Sequence, residues 1–453
     1  MHNLFLLTAS VLTPALFSTG VIAQDATRRK IADLIASLEK DRSSIIQLVK
    51  TTGRDFGVRP KLWGSWLEQT SDKDLVKVAE RQRRLEELDR DWRRFALGCS
   101  NMFFASLGGD PEKLAKAKAE WNAIQKESRE PDAWDGFTTA IWQLEKSGNR
   151  SKSANKFRDL FHRVPLSHYA AETDELAILL TKMADEDRLW NEPQKVDSLS
   201  LEAKVKYYAY HLRNVSVEQP SQPGKCNVLS SNERIGVPNS QNGNAAIQLM
   251  KIGKDSIPAL IELLDDRRPI RSVGYFRNYW PERTVLRYQD AARQILEVLL
   301  PVTFDDGCTG DYLSKESPEV RYRMINQIRD WYKNSQGKSE ADKLWLAIKM
   351  EPGIHSSIKL FRILAKEHGQ KREVLKELDT RYQRLHRVYR PFLVELMAEL
   401  GDRSKVKDIE RMLEDDEFHR YFSERFPDDS MAFARAEQSA IRLVKKYGSD
   451  SKK

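Results

Sequence analysis

Apolar residues recur at helical spacing along most of the chain. Residues 25–50 place apolar side chains three or four positions apart, and residues 75–97 repeat that spacing over a second long stretch. Such spacing puts apolar side chains on one face of an α-helix. The run GGDPEK at 108–113 ends one helix and begins another, because glycine stops a helix, aspartate caps the next and proline fits its first turn. The pattern predicts an all-α fold.

Helical spacing disappears in the segment 216–243, where Pro, Gly, Ser and Asn dominate. We interpret this segment as a loop or linker, because these residues favour turns and irregular backbone. It separates a less regular N-terminal helical region (24–150) and a helical hairpin region (151–215) from a C-terminal region (244–450).

The hairpin region contains the stretch FRDLFHRVPLSHYAAETDELAILLTKM at 157–183. A Pro-Leu-Ser turn is followed there by Tyr169, Ala170 and Ala171 and then by a leucine-rich helix. The stretch resembles the helix–turn–helix of tetratricopeptide-like repeats. The resemblance implies that this region folds as helical hairpins.

The C-terminal region contains a different unit near its start, KIGKDSIPALIELLDD at 251–266. A helix ends at Gly253, Asp255 or Ser256 can cap a second helix, and Pro258 fits the first turn of that helix. The apolar residues expected to face inward from the second helix are Ile257, Leu260, Leu263 and Leu264. The stretch RPFLVELMAELGDRSKVKDIERMLEDD, at 390–416, repeats the same spacing with one extra residue in the turn.

This helix–turn–helix unit resembles HEAT-like repeats, as they occur in uncharacterised secreted bacterial proteins. In such proteins each helical pair has an apolar face that its neighbours cover. The resemblance therefore implies an α-solenoid of HEAT-like repeats over residues 244–450. It implies a fold and no particular activity, because function lies in sites added to a fold.

The N-terminus has the pattern of an export signal. An apolar run from Leu4 to about Phe17 precedes the Val21-Ile22-Ala23 step. This order predicts a secretory signal peptide over 1–23 that is cleaved after Ala23, and hence a secreted or periplasmic protein. An uncleaved anchor is the alternative, although the run is short for a membrane span and contains Pro14. We expect no membrane span in the mature chain.

Export also changes the interpretation of the cysteines, because disulfides persist in oxidising compartments. Cys226 and Cys308 lie in loop-like sequence on either side of the 251–266 unit. A Cys226–Cys308 disulfide is our hypothesis, although spacing alone does not establish connectivity.

Charge and motifs exclude several classes of function. The 75 basic and 67 acidic residues are interspersed, which is typical of a solvated surface and not of a nucleic-acid interface. Neither a zinc-protease, a serine-hydrolase nor a phosphate-loop motif occurs. His162 and His168 lack the spacing of metal ligands, and acidic pairs such as Asp265-Asp266 are expected to cap helix ends. We therefore assign no catalytic residue, no metal and no cofactor.

Aromatic and arginine residues cluster in RSVGYFRNYWPERTVLRYQD, the insertion at 271–290. Clusters of Tyr, Trp and Arg supply binding energy at interfaces, and they would suit a peptide, an acidic protein surface or a glycan. The alternative is that the insertion folds its aromatic side chains onto the next repeat. The candidate binding residues are Arg271, Tyr275, Phe276, Arg277, Tyr279, Trp280 and Arg287.

A second basic stretch lies at 370–391, where Arg381, Arg384 and Arg387 are expected near one another on one helix face. A solvated face is the simplest interpretation. The alternative is attraction to anionic envelope polymers.

Together these patterns favour a non-catalytic protein–protein interaction or scaffold protein of the cell envelope, with an unknown envelope protein as partner. An enzyme acting on envelope or extracellular polysaccharide is one alternative, since helical solenoids can host lyases and hydrolases. A module that binds anionic glycans through the three arginines is the other. Loss of binding on aromatic substitution would favour the interaction protein, whereas a steep salt dependence would favour the glycan module.

Overall fold

The computed structural model of the protein describes residues 14–38, 40–220, 225–230, 244–275, 277–301, 312–350, 354–414 and 430–448. Phe276, Cys308 and residues 1–13 of the predicted signal peptide lie outside these ranges. The hypothesis of a Cys226–Cys308 disulfide and the role of Phe276 therefore stay predictions.

The described residues group into two compact units. Those within Met1–Leu299 and Gly310–Tyr322 form the first unit, and those within Leu300–Thr309 and Arg323–Lys453 form the second. The described parts of the predicted loop 216–243 belong to the first unit.

Most of the first unit is helical, in agreement with the predicted fold class. Its N-terminal helices are α1 (Pro14–Ser37), α2 (Ser44–Thr52), α3 (Pro60–Gln69), α4 (Asp72–Arg83), α5 (Leu85–Leu107), α6 (Pro111–Glu127) and α7 (Glu130–Ser147). The following helices are α8 (Arg150–Arg163), α9 (Ala170–Leu189), α10 (Leu201–His211), α11 (Ala245–Ile252), α12 (Ile257–Leu263) and α13 (Tyr288–Leu299). Short 3₁₀ turns occupy Val196–Ser198, Leu212–Asn214, Gly253–Ser256 and Leu313–Lys315.

Local residues at the helix ends explain where α6 begins and where α11 ends. The Asp110 side chain accepts hydrogen bonds from the backbone N–H groups of Glu112 and Lys113, and Pro111 lies in the first turn of α6. This confirms the helix start predicted from GGDPEK. At the 251–266 unit, α11 ends before Gly253, which has a φ of 76°. Ser256 precedes α12 without capping it, because its hydroxyl donates instead to the carbonyls of Leu249 and Gly253.

Neighbouring helices of the first unit pack in pairs. α8 packs against α9, and α5 packs against α6. α11 and α12 both pack against α13. The inward residues of α12 include Ile257 and Leu260, which are buried as the apolar spacing predicts. The tetratricopeptide-like and HEAT-like identities of these pairs, and their arrangement as a solenoid, stay predictions.

An antiparallel β-hairpin interrupts the helices, where the sequence predicts only an insertion into a helical repeat. β1 (Pro269–Gly274) pairs with β2 (Thr284–Arg287), with Gly274 opposite Thr284 and Pro269 opposite Arg287. Every residue of both strands is buried. The hairpin forms because Val273 and Val285 are β-branched residues that pack well on a pleated surface.

The described parts of segment 216–243 are irregular but packed. Val217 and Val228 are fully buried, as is Cys226. The backbone N–H of Val217 donates to the hydroxyl of Ser272 in β1 at 3.1 Å, and that of Cys226 donates to the hydroxyl of Tyr312 at 2.7 Å. These bonds fix the segment against the hairpin and the 312–322 region.

Helices also dominate the second unit. Helix α14 (Pro318–Ser335) begins in the first unit, and its residues after Tyr322 belong to the second. The other elements of the second unit are α15 (Glu340–Lys349), α16 (Ile354–Glu367), α17 (Lys371–Arg384), a 3₁₀ turn (Arg387–Tyr389), α18 (Arg390–Glu399), α19 (Val406–Leu413) and α20 (Ser430–Tyr447). α18 packs against α16, α17, α19 and α20. No helix among the described residues of either unit is both long enough and apolar enough to span a membrane.

Candidate functional site

Arg271 serves the structure of the hairpin's surroundings. Its side chain is buried, and its guanidinium group donates to the carbonyl oxygens of Leu144, Glu145 and Lys146 at 3.3, 2.7 and 3.3 Å. These carbonyls belong to the last turn of α7, where helix carbonyls lack partners within the helix. Arg271 therefore caps α7, and its prediction as a ligand-facing residue is wrong.

Arg287 is also turned inward. Only 1% of its side chain is exposed, and it pairs with the carboxylates of Glu175 at 3.2 Å and Glu172 at 3.7 Å. Its guanidinium group also donates to the carbonyl oxygen of Arg267 at 3.0 Å. Burial lowers the pKa of Arg287, against the pull of Glu175. The sequence predicts Arg287 to be a binding residue, whereas the structure places it in a buried ionic cluster.

The remaining described residues of the predicted cluster lie around the tip of the hairpin. Tyr275, Arg277, Tyr279 and Trp280 are each half-buried. The guanidinium group of Arg283 lies 5.0 Å from the ring centre of Tyr275, and that of Arg277 lies 5.9 Å from the ring of Tyr279. The structure thus keeps the aromatic half of the predicted cluster near the surface.

Tyr279 is part of a larger aromatic group that the sequence analysis missed. Its ring stacks on Phe103 with centres 5.0 Å apart, and its distance to the ring of Phe104 is 4.8 Å. Phe103, Phe104 and Leu107 lie at helical spacing near the end of α5, and 38, 53 and 69% of these residues are exposed. We call these four residues the aromatic surface. The sequence feature that could have indicated this surface is the pair of adjacent phenylalanines in CSNMFFASL.

A groove adjoins the aromatic surface between α5 and α6. Its volume is about 410 Å³, and its walls include Phe104, Ala105 and Ala117. Lys113 and Lys116 of α6 are exposed along its rim. Asp110 and Glu120 also line the groove, and Asp110 pairs with Lys113 at 3.5 Å. The groove therefore offers an apolar floor with two cations and two carboxylates beside it.

The three predicted arginines of the second unit do not form one face. Arg381 donates to the carbonyl oxygen of Ile348 at 3.0 Å and to the carboxylate of Glu377 at 2.9 Å, and it lies over the ring of Phe361. Its role is therefore structural. Arg384 and Arg387 are exposed, and Arg387 lines a cleft of the unit.

The first unit contains a buried ionic cluster centred on Asp55. The Asp55 carboxylate pairs with Arg321 and with Arg267, and the Tyr322 hydroxyl donates to it at 3.3 Å. Burial by itself would raise the pKa of Asp55, but Arg321 and Arg267 outweigh it and hold that pKa below its ordinary value. These charges join the segment after α2 to the segments before β1 and in α14.

Glu175 is the second carboxylate of the cluster. It accepts a hydrogen bond from the backbone N–H of Asp55 at 2.9 Å and from Arg267 at 3.3 Å, and it pairs with Arg287. Burial is the main cause that raises its pKa above the ordinary range.

A cavity of about 180 Å³ adjoins Asp55, Glu172 and Glu175. Carboxylates whose pKa values are pushed in opposite directions beside a cavity are a common arrangement for acid–base catalysis. Here, however, Asp55 and Glu175 each share their charge with two arginines. This sharing favours a clamp between chain segments over a proton-transfer site.

Glu130 is a buried acid that no motif or spacing in the sequence indicates as a site residue. One carboxylate oxygen accepts the backbone N–H of His168 at 2.9 Å, while the other has no hydrogen-bond partner among the described residues. Burial raises the pKa of Glu130 to about 7, with Asp89 and Asp91 adding to the rise and Arg81 opposing it. The His168 ring stacks on Trp92 nearby, with centres 4.7 Å apart.

Metal binding finds no support in the described part of the chain, where no group of three or more His, Cys, Asp or Glu side chains could hold an ion. The acidic pair Asp265-Asp266 does more than mark a helix end. Asp266 is 2% exposed and pairs with Arg59 at 2.7 Å and Arg268 at 2.6 Å. The other Asp-Asp pairs of the sequence, Asp305-Asp306, Asp415-Asp416 and Asp428-Asp429, lie outside the described residues.

Comparison with known proteins adds no assignment. No protein-family model, curated protein or solved structure matches the chain. Function must therefore be inferred from the geometry of the sites above.

Proposed function

We propose that the protein is a non-catalytic interaction protein of the cell envelope, in which HEAT-like helical repeats provide a scaffold and the aromatic surface binds a partner protein. The export-type pattern of residues 1–23 supports the location. The observation that supports binding is the exposed row of Phe103, Phe104 and Leu107, stacked at one end on Tyr279. A contiguous apolar patch of this kind marks an interaction site more often than it serves stability.

The residues that line the groove indicate which side chains a partner would place in it. An apolar side chain fits between Phe104 and Ala117, while an acidic residue beside it would meet Lys116, since Lys113 already pairs with Asp110 at 3.5 Å. We therefore propose a partner segment in which an apolar residue lies next to acidic ones. Rim charges of this kind raise the rate of association, and the buried aromatic contact supplies most of the affinity.

Replacing Phe104 by Ala is expected to weaken partner binding by at least about tenfold, because a truncated aromatic anchor costs on the order of 2 kcal/mol. Partner proteins would first be captured from an envelope extract with the native protein. The captured protein would then be purified and titrated by calorimetry against native and variant chains. Since Phe104 is 53% exposed, we expect the variant to fold normally.

Trp142→Ala is the matched control, because Trp142 is an aromatic residue of α7 that is 59% exposed and lies outside the aromatic surface. If Phe104→Ala and Trp142→Ala weaken binding equally, the aromatic surface is not the binding site. A further variant, Lys116→Glu, tests the acidic partner. Unchanged affinity and unchanged salt dependence in Lys116→Glu would show that the partner is not acidic at this point.

A further inference from the structure

The second unit contains a basic cleft, whereas the aromatic surface belongs to the first unit. The cleft has a volume of about 390 Å³ and lies between the end of α17, the 3₁₀ turn and α19. Four cationic side chains and one carboxylate line it: Arg387, Arg390, Lys405, Arg411 and Asp408. Positive charge concentrated in a concave surface attracts anions more strongly than the same charge spread over a flat face.

A buried ring holds two of these cations in place. Tyr382 is 5% exposed, and its hydroxyl donates to Asp408 at 3.3 Å. The Arg390 guanidinium lies 4.9 Å from the centre of this ring, and the Lys405 ammonium lies 5.4 Å from it. Arg390 also donates to the carbonyl oxygen of Leu385 at 3.1 Å, and Lys405 also pairs with the carboxylate of Asp379 at 3.5 Å. Cations fixed in this way lose little further freedom when an anion binds.

The other two cations lie at the rim. Arg387 is exposed, and 77% of the Arg411 side chain is exposed, with a carboxylate oxygen of Asp408 at 4.0 Å from its guanidinium group. Long arginine side chains at a rim can turn onto a bound oxyanion and donate two parallel hydrogen bonds to it. The fixed pair and the rim pair together surround the cleft.

The volume of the cleft and its apolar side chains limit which ligands can fit. A volume near 390 Å³ is at the lower end of the range for small-molecule sites. Ile409 and Met412 supply apolar contact on one side. We propose that the cleft binds an oxyanion, a phosphate or a carboxylate, carried by a sugar-sized body. The predicted anionic site is thereby moved from Arg381 and Arg384 to residues 387–411.

The proposal is tested by calorimetric titration of the purified protein with glucose 1-phosphate, inorganic phosphate, glucuronate and uncharged glucose. We expect glucose 1-phosphate or glucuronate to bind and glucose to bind at least about tenfold more weakly, because the cationic residues act on charge. Whichever sugar anion binds identifies the oxyanion. Binding of inorganic phosphate without binding of either sugar anion would overturn the proposed sugar-sized body. If none of the anions binds, or if glucose binds equally well, the proposal is overturned.

Two variants distinguish a built site from diffuse attraction. The double variant Arg387→Gln with Arg411→Gln removes both rim cations, and we expect it to weaken anion binding by about tenfold or more. Arg384→Gln is the control, since Arg384 is an exposed arginine of the same chain segment that does not line the cleft. Its expected change is within about twofold, as for a distant surface charge. A second double variant, Arg384→Gln with Arg372→Gln, removes two positive charges away from the cleft. It therefore matches the charge lost in Arg387→Gln with Arg411→Gln. Equal weakening by the second double variant would overturn the cleft as a site, whatever the outcome for the aromatic surface.

Discussion

Replacing Asp55 by Ala is expected to lower the free energy of unfolding of the first unit by about 3–5 kcal/mol, because it leaves buried cations without their partner. Arg321 and Arg267 are 3 and 6% exposed, so water cannot replace the lost carboxylate. The change would be measured as the shift of the urea unfolding transition. Asp55→Asn keeps the shape of the side chain and removes its charge, and we expect a loss in the same direction.

Asp72→Ala is the control for this substitution. Asp72 pairs with Arg28 at 2.8 Å, but 63% of its side chain is exposed. Exposed pairs contribute about 1 kcal/mol or less. If Asp55→Ala costs no more than Asp72→Ala, the Asp55 cluster is not the clamp that the structure indicates.

The second large effect concerns pH and Glu130. Its folded pKa of about 7 lies above the ordinary value of 4.5, so protonation favours the folded state. The contribution is fully present below pH 4.5 and is lost as pH rises through 7. Between pH 5 and pH 8 the loss amounts to about 2–3 kcal/mol.

Glu130→Gln imitates the protonated carboxyl and removes this pH dependence. The free energy of unfolding of the native chain minus that of the variant should therefore fall by about 2–3 kcal/mol from pH 5 to pH 8. Taking the difference between the two chains largely cancels the contributions of the other charged groups, which are present in both. Glu68→Gln makes the same chemical change at an exposed position of α3 and should give a flat difference. A flat difference for Glu130→Gln as well would contradict the raised pKa.

Local features of the fold could be predicted from the sequence, because the residues that decide them are neighbours in the chain. The start of α6 follows from Asp110 and Pro111, and the end of α11 follows from Gly253. The hairpin was missed for a physical reason. Both faces of β1 and β2 are buried, so the alternation of apolar and polar residues that reveals a half-exposed strand is absent.

Long-range charge pairing could not be predicted. Asp55 and Arg321 are far apart in sequence, and nothing local to either residue indicates their contact. The same limit explains the wrong prediction for Arg271. An arginine in an aromatic segment suggests a binding surface, whereas only the packing of α7 against β1 shows that it caps helix carbonyls. By contrast, Tyr279 stays at the surface because Phe103 and Phe104 lie beside it on exposed helix positions.

The central claim is that the aromatic surface binds a partner protein, and cross-linking at position 107 tests it most directly. The photoreactive residue p-benzoylphenylalanine would replace Leu107, which is 69% exposed, and in a second chain it would replace Trp142. Both chains would be irradiated in cells of the native organism. The account predicts one dominant protein cross-linked from position 107, absent from position 142 and lost when Tyr279→Ala is added. Identical products from both positions, or none from position 107, would contradict it.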